Sequence, residues 1–405
     1  MRSKWFLLFV ALLVLMAACK KTSNSSNPPP SPSPAFSVDV SVDGKNPAVN
    51  EAFLSYFPAT ATVHPGDTVN FRLVDSGEPH TVTLGTLADG AVTAAQQSPD
   101  PSKPSATATA TDGALPQLLP TGPGDAIPSA ALPCFITTGP VPTATACTTA
   151  QQSPQPSFQG TEAYYNSGWM MPTATFSVKL ASSIKPGTYR YMCLLHREGM
   201  SGEIVVAPAG RSTPSASEQA AASQAQLARA IAALQPAVEP LASGKNPELT
   251  FIPSGPNAVL AGSGLQESND AIDAFGPSTV TTTVNGTVTW YLIGPHTVSF
   301  NPPPDVTGAR LGDTPHVNPE ALGPSGSNGQ GPPAGAGGAA AQNGPPKIGE
   351  TVDGRTFDGT SFHSSGLILS FPPVLTAYKV KFTKAGTYPY QCLIHPGMAG
   401  VVVVH

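Results

Sequence analysis

Short stretches in which apolar and polar residues alternate recur along the chain. The clearest ones in the first half are FSVDVSV (36–42), TVNFRLV (68–74), TATFSVKL (173–180) and GEIVV (202–206). Side chains of a β-strand point alternately to opposite faces, so this alternation predicts strands with one buried face. Pro-Gly and Asn-Gly pairs separate the stretches and are typical of turns. The pattern predicts an all-β fold, an antiparallel sandwich or barrel.

The second half of the chain repeats the first. Alternation returns in STVTTTV, TVTWYLI, HTVSF and AYKVKFT. Gly187–Val206 (GTYRYMCLLHREGMSGEIVV) aligns with Gly386–Val404 (GTYPYQCLIHPGMAGVVVV), and GEPHTVTL aligns with IGPHTVSF. Self-similarity at so long a period indicates a tandem duplication. Because 405 residues suffice for two domains, we predict one domain at 36–207 and another at 248–405.

In the linker between the repeats, residues 208–247, the alternation of apolar and polar residues gives way to a helical pattern. Ser215 and Glu218 form the pattern of a capping box, and alanines fill the stretch that follows. Pro236 is expected to end the helix, because proline lacks the backbone N–H and clashes with the preceding turn. The linker is therefore predicted to hold one short helix over 215–235.

Two long segments interrupt the repeats at the same point, after the strand that contains PHTV. Residues 86–157 and 302–349 are rich in Pro, Gly, Ala, Ser and Thr and contain few aromatic residues. Loops of this length are uncommon in compact domains, and this composition buries little apolar surface. We expect surface excursions, which are either glycosylated or partner-binding segments or tolerated low-complexity insertions.

The N-terminus has the pattern of a secretory signal. Arg2 and Lys4 precede an apolar run from Trp5 to Met16, which is too short to span a bilayer comfortably. Small residues before Cys19 resemble the bacterial lipobox, which implies residues 1–19 as a lipoprotein-type signal and a lipid on Cys19. An ordinary signal peptide or an uncleaved anchor is the alternative. A Pro/Ser-rich tether over 20–35 follows, and the expected location is outside the cytoplasm, on the cell membrane.

The net charge argues against one class of function, and the two remaining cysteines suggest a disulfide. Charged residues make up 11% of the chain and the net charge is −5, so there is no basic footprint for a nucleic acid. Cys134 and Cys147 lie within the first insertion, in a compartment that is expected to be oxidising. A disulfide between them is predicted, and a second metal site there is the weaker alternative.

Each repeat contains one set of residues that suits a soft metal ion. The loop of Gly187–Val206 carries a cysteine, a histidine and a methionine, and so does the loop of Gly386–Val404. The PHTV strand supplies one more histidine in each repeat. A thiolate, two imidazoles and a weak thioether in a β-scaffold form the ligand set of blue copper sites.

These motifs resemble the cupredoxins, the group of plastocyanin, amicyanin and azurin. The spacing C-x2-H-x2-M of the second repeat is similar to amicyanin, and C-x2-H-x3-M of the first is intermediate between amicyanin and plastocyanin. The resemblance implies two tandem Greek-key β-sandwich domains, each with one type 1 Cu(II)/Cu(I) site. The implied ligands are His80, Cys193, His196 and Met200 in the first domain, and His296, Cys392, His395 and Met398 in the second.

The chain departs from the plastocyanin-like pattern at the residue after the first histidine. Many of those proteins have Asn there, and its side chain helps to tie the two ligand loops together. This chain has Thr81 and Thr297. A threonine hydroxyl is expected to replace part of that bonding.

Two functions are consistent with these sites. The first is an electron carrier that serves redox proteins of an extracytoplasmic chain, through apolar patches around an exposed His196 or His395. The second is copper binding and delivery outside the cell. An enzyme is not expected, because no H-x-H pair is present to hold further copper ions and no histidine adjoins Cys193 or Cys392.

Overall fold

The computed structural model describes residues 36–46, 51–74, 80–97, 115, 130, 132–139, 155–170, 173–246, 255–264, 270–302, 349–370 and 374–405. The signal, the tether, Cys19, Cys147 and most of both insertions lie outside these ranges. Among the described residues, no helix combines the length and the apolar character that a membrane crossing requires.

Two sheets form the first half of the described chain. In order across the first sheet, the strands are β3 (Tyr56–Phe57), β1 (Ser37–Val42), β5 (Thr68–Leu73) and β9 (Thr175–Lys179). The second sheet is β4 (Thr60–Val63), β11 (Arg197–Val206), β10 (Gly187–Cys193), β6 (Thr83–Leu84), β8 (Tyr164–Asn166) and β7 (Cys134–Ile136). Apolar side chains from both sheets form one buried cluster that includes Val40, Phe71 and Tyr191.

Three sheets form the second half. The largest is β18 (Thr351–Phe357), β21 (Ala377–Phe382), β15 (Thr287–Leu292), β12 (Ala258–Gly264), β13 (Ala271–Gly276) and β2 (Glu51–Ala52). The next is β14 (Thr279–Thr282), β23 (Ala399–Val404), β22 (Gly386–Gln391), β17 (Ser299–Phe300) and β19 (His363–Ser364). A short pair joins β16 (Gly294–His296) to β20 (Ile368–Ser370).

Strand pairing confirms the predicted all-β fold and relates the two halves, but the sheets contain parallel as well as antiparallel pairs, so the expectation of a purely antiparallel arrangement is wrong. β1 runs parallel to β5, and β12 runs parallel to β15 in the corresponding place. Tyr56 packs edge-on against Tyr191 with ring centroids 4.8 Å apart, and Phe275 packs against Tyr390 at 4.7 Å. The same aromatic contact therefore recurs in the core of each half.

β2 is the exception to this separation into halves. It lies within the segment predicted to be the first domain, but it pairs antiparallel with β13 at the edge of the largest sheet of the second half. The two halves are thus joined by backbone hydrogen bonds as well as by side-chain packing.

The linker helix is longer than the sequence predicts. Helix α2 spans Ala216–Ala242, begins at the predicted capping box and continues through Pro236 and Pro240. Its buried residues Leu234, Ala237 and Leu241 pack in one cluster with apolar residues of both halves: Phe53, Phe57, Leu260, Ile272 and Ile293. The prediction that Pro236 ends the helix is wrong, because burial of this apolar face offsets the hydrogen bonds that the prolines remove.

The first insertion is partly folded, which corrects the expectation of a structureless excursion. Helix α1 spans Thr86–Gln96 and buries Ala88, Ala91 and Val92. β7 lies further along the same insertion and pairs with β8. Its first residue, Cys134, is buried and disulfide-bonded. Because Cys147 is outside the described residues, its pairing with Cys134 stays a prediction.

Because His363 is buried, we predict that the folded protein loses stability in acid. It lies among the rings of Phe300, Phe357 and Tyr378, and burial lowers its pKa from the usual 6.5 to about 4. Between these pH values the unfolded chain binds one more proton at this position than the folded chain, so folding stability falls as the pH drops. Between pH 6.5 and about 4, we expect the free energy of unfolding of His363→Phe to fall less steeply than that of the parent chain, by about 1.4 kcal/mol per pH unit. Urea unfolding at several pH values measures the slope; an unchanged slope contradicts the prediction.

Candidate metal centres

The first candidate centre forms where β10 turns into β11. β10 ends at Cys193 and β11 begins at Arg197, and the register between them shifts after Met192. The residues left unpaired by this shift include Met200, which is buried. His80 arrives from another part of the sandwich, where it forms an isolated bridge with Met170. The irregular pairing therefore places the loop residues opposite the histidine of the PHTV strand.

The potential ligand atoms of this first site converge on one point. One ligand atom each from His80, Cys193 and His196 lies within 4.8 Å of the others. Nδ1 of His80 is 3.9 Å from Sγ of Cys193, and the two histidine rings are 5.0 Å apart. His80 and Cys193 are fully buried, whereas His196 is half-buried.

The second candidate centre repeats this arrangement between β22 and β23. His296, Cys392 and His395 again present ligand atoms within 4.8 Å of one another. Nδ1 of His296 is 2.9 Å from Nδ1 of His395, which is 3.6 Å from Sγ of Cys392. The Cys392 N–H donates to the Met398 carbonyl at 2.9 Å, and the Met398 N–H donates to the His395 carbonyl at 3.2 Å. These bonds close the loop, and the Met398 side chain is buried.

Threonine ties the two ligand segments together in both centres. The Leu194 N–H donates to Oγ1 of Thr81 at 2.8 Å, and the Leu393 N–H donates to Oγ1 of Thr297 at 2.7 Å. The backbone N–H of each threonine also points at the cysteine sulfur at 3.4 Å. The hydroxyl therefore performs the bonding that the sequence assigned to it.

The protonation states of the two cysteines favour metal binding, whereas that of His80 does not: burial lowers its pKa, but Asp43 and Cys193 outweigh burial and raise it to about 9. Burial alone would raise the pKa of Cys193, but the charges and hydrogen bonds of His196 and His80 hold it well below the usual value. His395 and His296 likewise outweigh burial and lower the pKa of Cys392. The thiolate is the form of cysteine that binds metals. Both centres are thus set to present an anionic sulfur ligand.

The exposure of the loop histidines differs from the sequence expectation. His395 is only 2% exposed, so the predicted exposed patch around it is wrong. His196 is half-buried, and Leu195, Arg197 and Glu198 next to it are half-buried as well. Only the first candidate centre therefore exposes one of its histidines to solvent.

Two buried carboxylates at the centres were missed by the sequence analysis. Oδ2 of Asp43 is 3.3 Å from Nε2 of His80, and Oδ1 of Asp273 is 3.7 Å from Nδ1 of His395. Asp43 stands in an Asp-Gly pair, a common turn sequence. Asp273 lies within an otherwise apolar strand, and that placement was the available signal for a buried acid.

Comparison with known proteins adds weak similarities. No protein-family model matches the chain, and no curated protein matches it significantly. A solved auracyanin from the photosynthetic bacterium Roseiflexus castenholzii is 15% identical, with a TM-score of 0.22, and the match covers 43% of this chain and 98% of that one. What the structure itself shows is a set of β-sheets in each half and, in each half, one His/Cys/His group with donor atoms that suit a soft metal ion.

Longer alignments correct the expectation that the chain is no enzyme. A copper-containing nitrite reductase from Thermus scotoductus covers 92% of this chain, and 68% of that structure is matched, at 11% identity and a TM-score of 0.21. A blue copper oxidase from Nitrosomonas europaea also covers 92%, with 86% of that structure matched, at 11% and 0.20. Similarity at this level assigns no activity to the chain, but it removes the ground for excluding one.

Proposed function

We propose that the chain binds one copper ion in each centre and transfers single electrons between redox proteins. The observation that carries this proposal is the duplication of the complete donor set. In each half a cysteine and two histidines converge, and the methionine of the same loop is buried. An isolated cluster of such residues is often incidental, but two equivalent clusters on equivalent strands call for one chemical explanation.

The residues present fit copper. Thiolate and thioether ligands favour Cu(I), and imidazole ligands keep Cu(II) accessible. His80, Cys193, His196 and Met200 would hold one ion, and His296, Cys392, His395 and Met398 the other. When bound, the metal supplies a one-electron Cu(II)/Cu(I) couple.

The chain keeps the ligands dry and fixed. Cys193, Cys392, Met200 and Met398 are nearly inaccessible to solvent, so water is largely excluded from the sulfur ligands. The threonine bonds between the ligand segments limit how far each cysteine loop can move. A fixed, dry ligand set reduces the rearrangement that accompanies a change of charge, which favours electron transfer.

His196 is the route by which electrons reach the first centre in this proposal. It is the ligand histidine with exposed surface, and Leu195 beside it is half-buried. Glu198 adds charge at this surface, whereas the terminal guanidinium nitrogens of Arg197 are buried. A redox protein with a complementary polar rim fits it better than a purely apolar partner does.

We also propose that the protein works outside the cytoplasm, held to the bacterial cell membrane by a lipid on Cys19. The support is the apolar run followed by MAAC and by a Pro/Ser-rich tether. Metabolic labelling with a radioactive fatty acid tests this: incorporation that is lost in Cys19→Ala is expected, and equal labelling of both forms contradicts it.

Copper content and the visible spectrum of the chain that starts after Cys19 test the main proposal. We expect two copper ions per chain and an intense thiolate-to-copper band. Cys193→Ser and Cys392→Ser are each expected to remove about half of the band, because each removes one thiolate. A colourless protein that holds only Cu(I) and releases it readily to a chelator would instead indicate copper delivery.

A further inference from the structure

The two centres differ at one equivalent backbone position. Val42 pairs with Leu73 at the end of β1, and Ala261 pairs with Leu292 in β12. The next residue is Asp43 in the first half and Gly262 in the second. Both have left-handed backbone, with φ of 62° and 82°. At this equivalent position the first half therefore has a carboxylate side chain, and the second half has no side chain.

In the first centre this position holds the carboxylate that contacts His80. Asp43 is fully buried, and its Oδ1 accepts hydrogen bonds from the Gly44 N–H at 2.6 Å and the Phe53 N–H at 2.8 Å. Its Oδ2 is left to face Nε2 of His80 at 3.3 Å. Because Nδ1 of His80 faces Cys193, the carboxylate acts on the ring from the side opposite the ligand cluster.

In the second centre a backbone carbonyl takes the same role. Nε2 of His296 is 2.7 Å from the carbonyl oxygen of Ile293. A Cβ on Gly262 would meet both Nε2 of His296 and that oxygen. No side chain therefore fits there, and a neutral acceptor replaces the carboxylate.

The two acceptors have different consequences for the metal couple. A carboxylate that accepts the remote N–H of a ligand imidazole makes the imidazole a stronger donor than a carbonyl does. A stronger, more anionic donor stabilises the higher charge of Cu(II) over Cu(I). The reduction potential of the site falls as a result.

We infer that Asp43 is a positioning residue that lowers the reduction potential of the first centre through His80. The inference rests on the proposed copper function. The couple exchanges one electron with the redox partner and needs no further reactant. Asp43 thereby makes the two centres of one chain chemically unequal.

The experiment must change Asp43 alone, because Asp273 lies near the other centre and also affects any comparison of the two centres. Asp273 brings a second buried carboxylate to the other centre, 3.7 Å from Nδ1 of His395. Val42 pairs with Tyr56 and Ala261 with Phe275, so the residue equivalent to Asp273 in the first half is Leu54. Asp43 and Asp273 thus lie at different places relative to their centres, and the difference between the two natural potentials does not isolate the effect of either residue.

The experiment is a potentiometric titration of the first centre in a chain that carries Cys392→Ser, so that one thiolate band remains. Asp43→Gly introduces the residue of the second half, and Asp43→Asn keeps the size and tolerates left-handed backbone. Asp39→Asn is the matched control, because it makes the same charge change on β1 at a side chain that is 59% exposed. We expect Asp43→Gly to shift the preference between Cu(II) and Cu(I) about tenfold, a rise of about 59 mV, with little change in the control.

An unchanged potential in Asp43→Gly, or an equal rise in Asp39→Asn, would overturn the inference. Loss of copper from the first centre in both Asp43 variants would overturn it too, because Asp43 would then be a structural support and not a tuning group. If the thiolate band is already missing before Asp43 is changed, the proposed function itself fails, and the inference falls with it.

Discussion

Gly262→Ala is expected to remove copper from the second centre and to leave the first one loaded. The new Cβ would meet Nε2 of His296 and the carbonyl oxygen of Ile293, and both belong to the hydrogen bond that orients the ring. The backbone at Gly262 is also left-handed, which costs alanine about 1–2 kcal/mol. We expect copper affinity at this centre to fall at least about 100-fold, which corresponds to about 2.8 kcal/mol.

Gly210→Ala is the matched control for this prediction. Gly210 has a similar φ of 77°, and no described atom lies within 4 Å of a Cβ placed on it. Gly210→Ala therefore has the energetic cost of left-handed backbone, but its new Cβ does not collide with a histidine ring. Chelator competition and copper content per chain measure both variants; equal affinity in Gly262→Ala and the parent chain would contradict the assigned role of the glycine.

Leu241→Ala is expected to destabilise the chain by about 2–5 kcal/mol, the usual cost of truncating a buried leucine. Leu241 is 2% exposed and lies near the end of α2, beyond both prolines. Its side chain belongs to the cluster that joins the helix to Phe53 of the first half and Leu260 of the second. Loss of this contact removes part of the packing that holds the last turns of the helix in place.

Urea unfolding measures this effect, with Gln235→Ala as the control. Gln235 lies on the exposed face of the same helix, so its truncation is expected to change stability by less than about 0.5 kcal/mol. A comparable small change for Leu241→Ala would show that the end of the helix does not contribute to the common core.

The sequence analysis predicted the residues that the structure groups at each centre, because duplication made them visible. His80, Cys193 and His196 recur as His296, Cys392 and His395, and the fold brings each set together. Asp43 was missed for the complementary reason: its counterpart is Gly262, so alignment of the halves gives it no support. A comparison of the two repeats therefore detects residues that both repeats contain, but not a residue such as Asp43 that only one of them contains.

Long-range packing accounts for the other differences. The local rule that proline ends a helix is sound, but it does not include the burial of Leu234, Ala237 and Leu241 against residues far away in the chain. The burial of His395 likewise depends on its tertiary surroundings, among them Asp273 on β13, which no spacing in the cysteine loop reveals. In both cases the missing information lies in contacts between distant segments.

The pairing of β2 with β13 makes the two repeats depend on each other. A second half produced alone would lack β2, and β13 would become an open edge whose free N–H and C=O groups invite another copy to pair. Phe53, which directly follows β2, also donates one of the two backbone hydrogen bonds that hold the Asp43 carboxylate at the first centre. One short segment thus serves the sheet of one repeat and the candidate metal centre of the other, so cutting the chain between the repeats would disturb both.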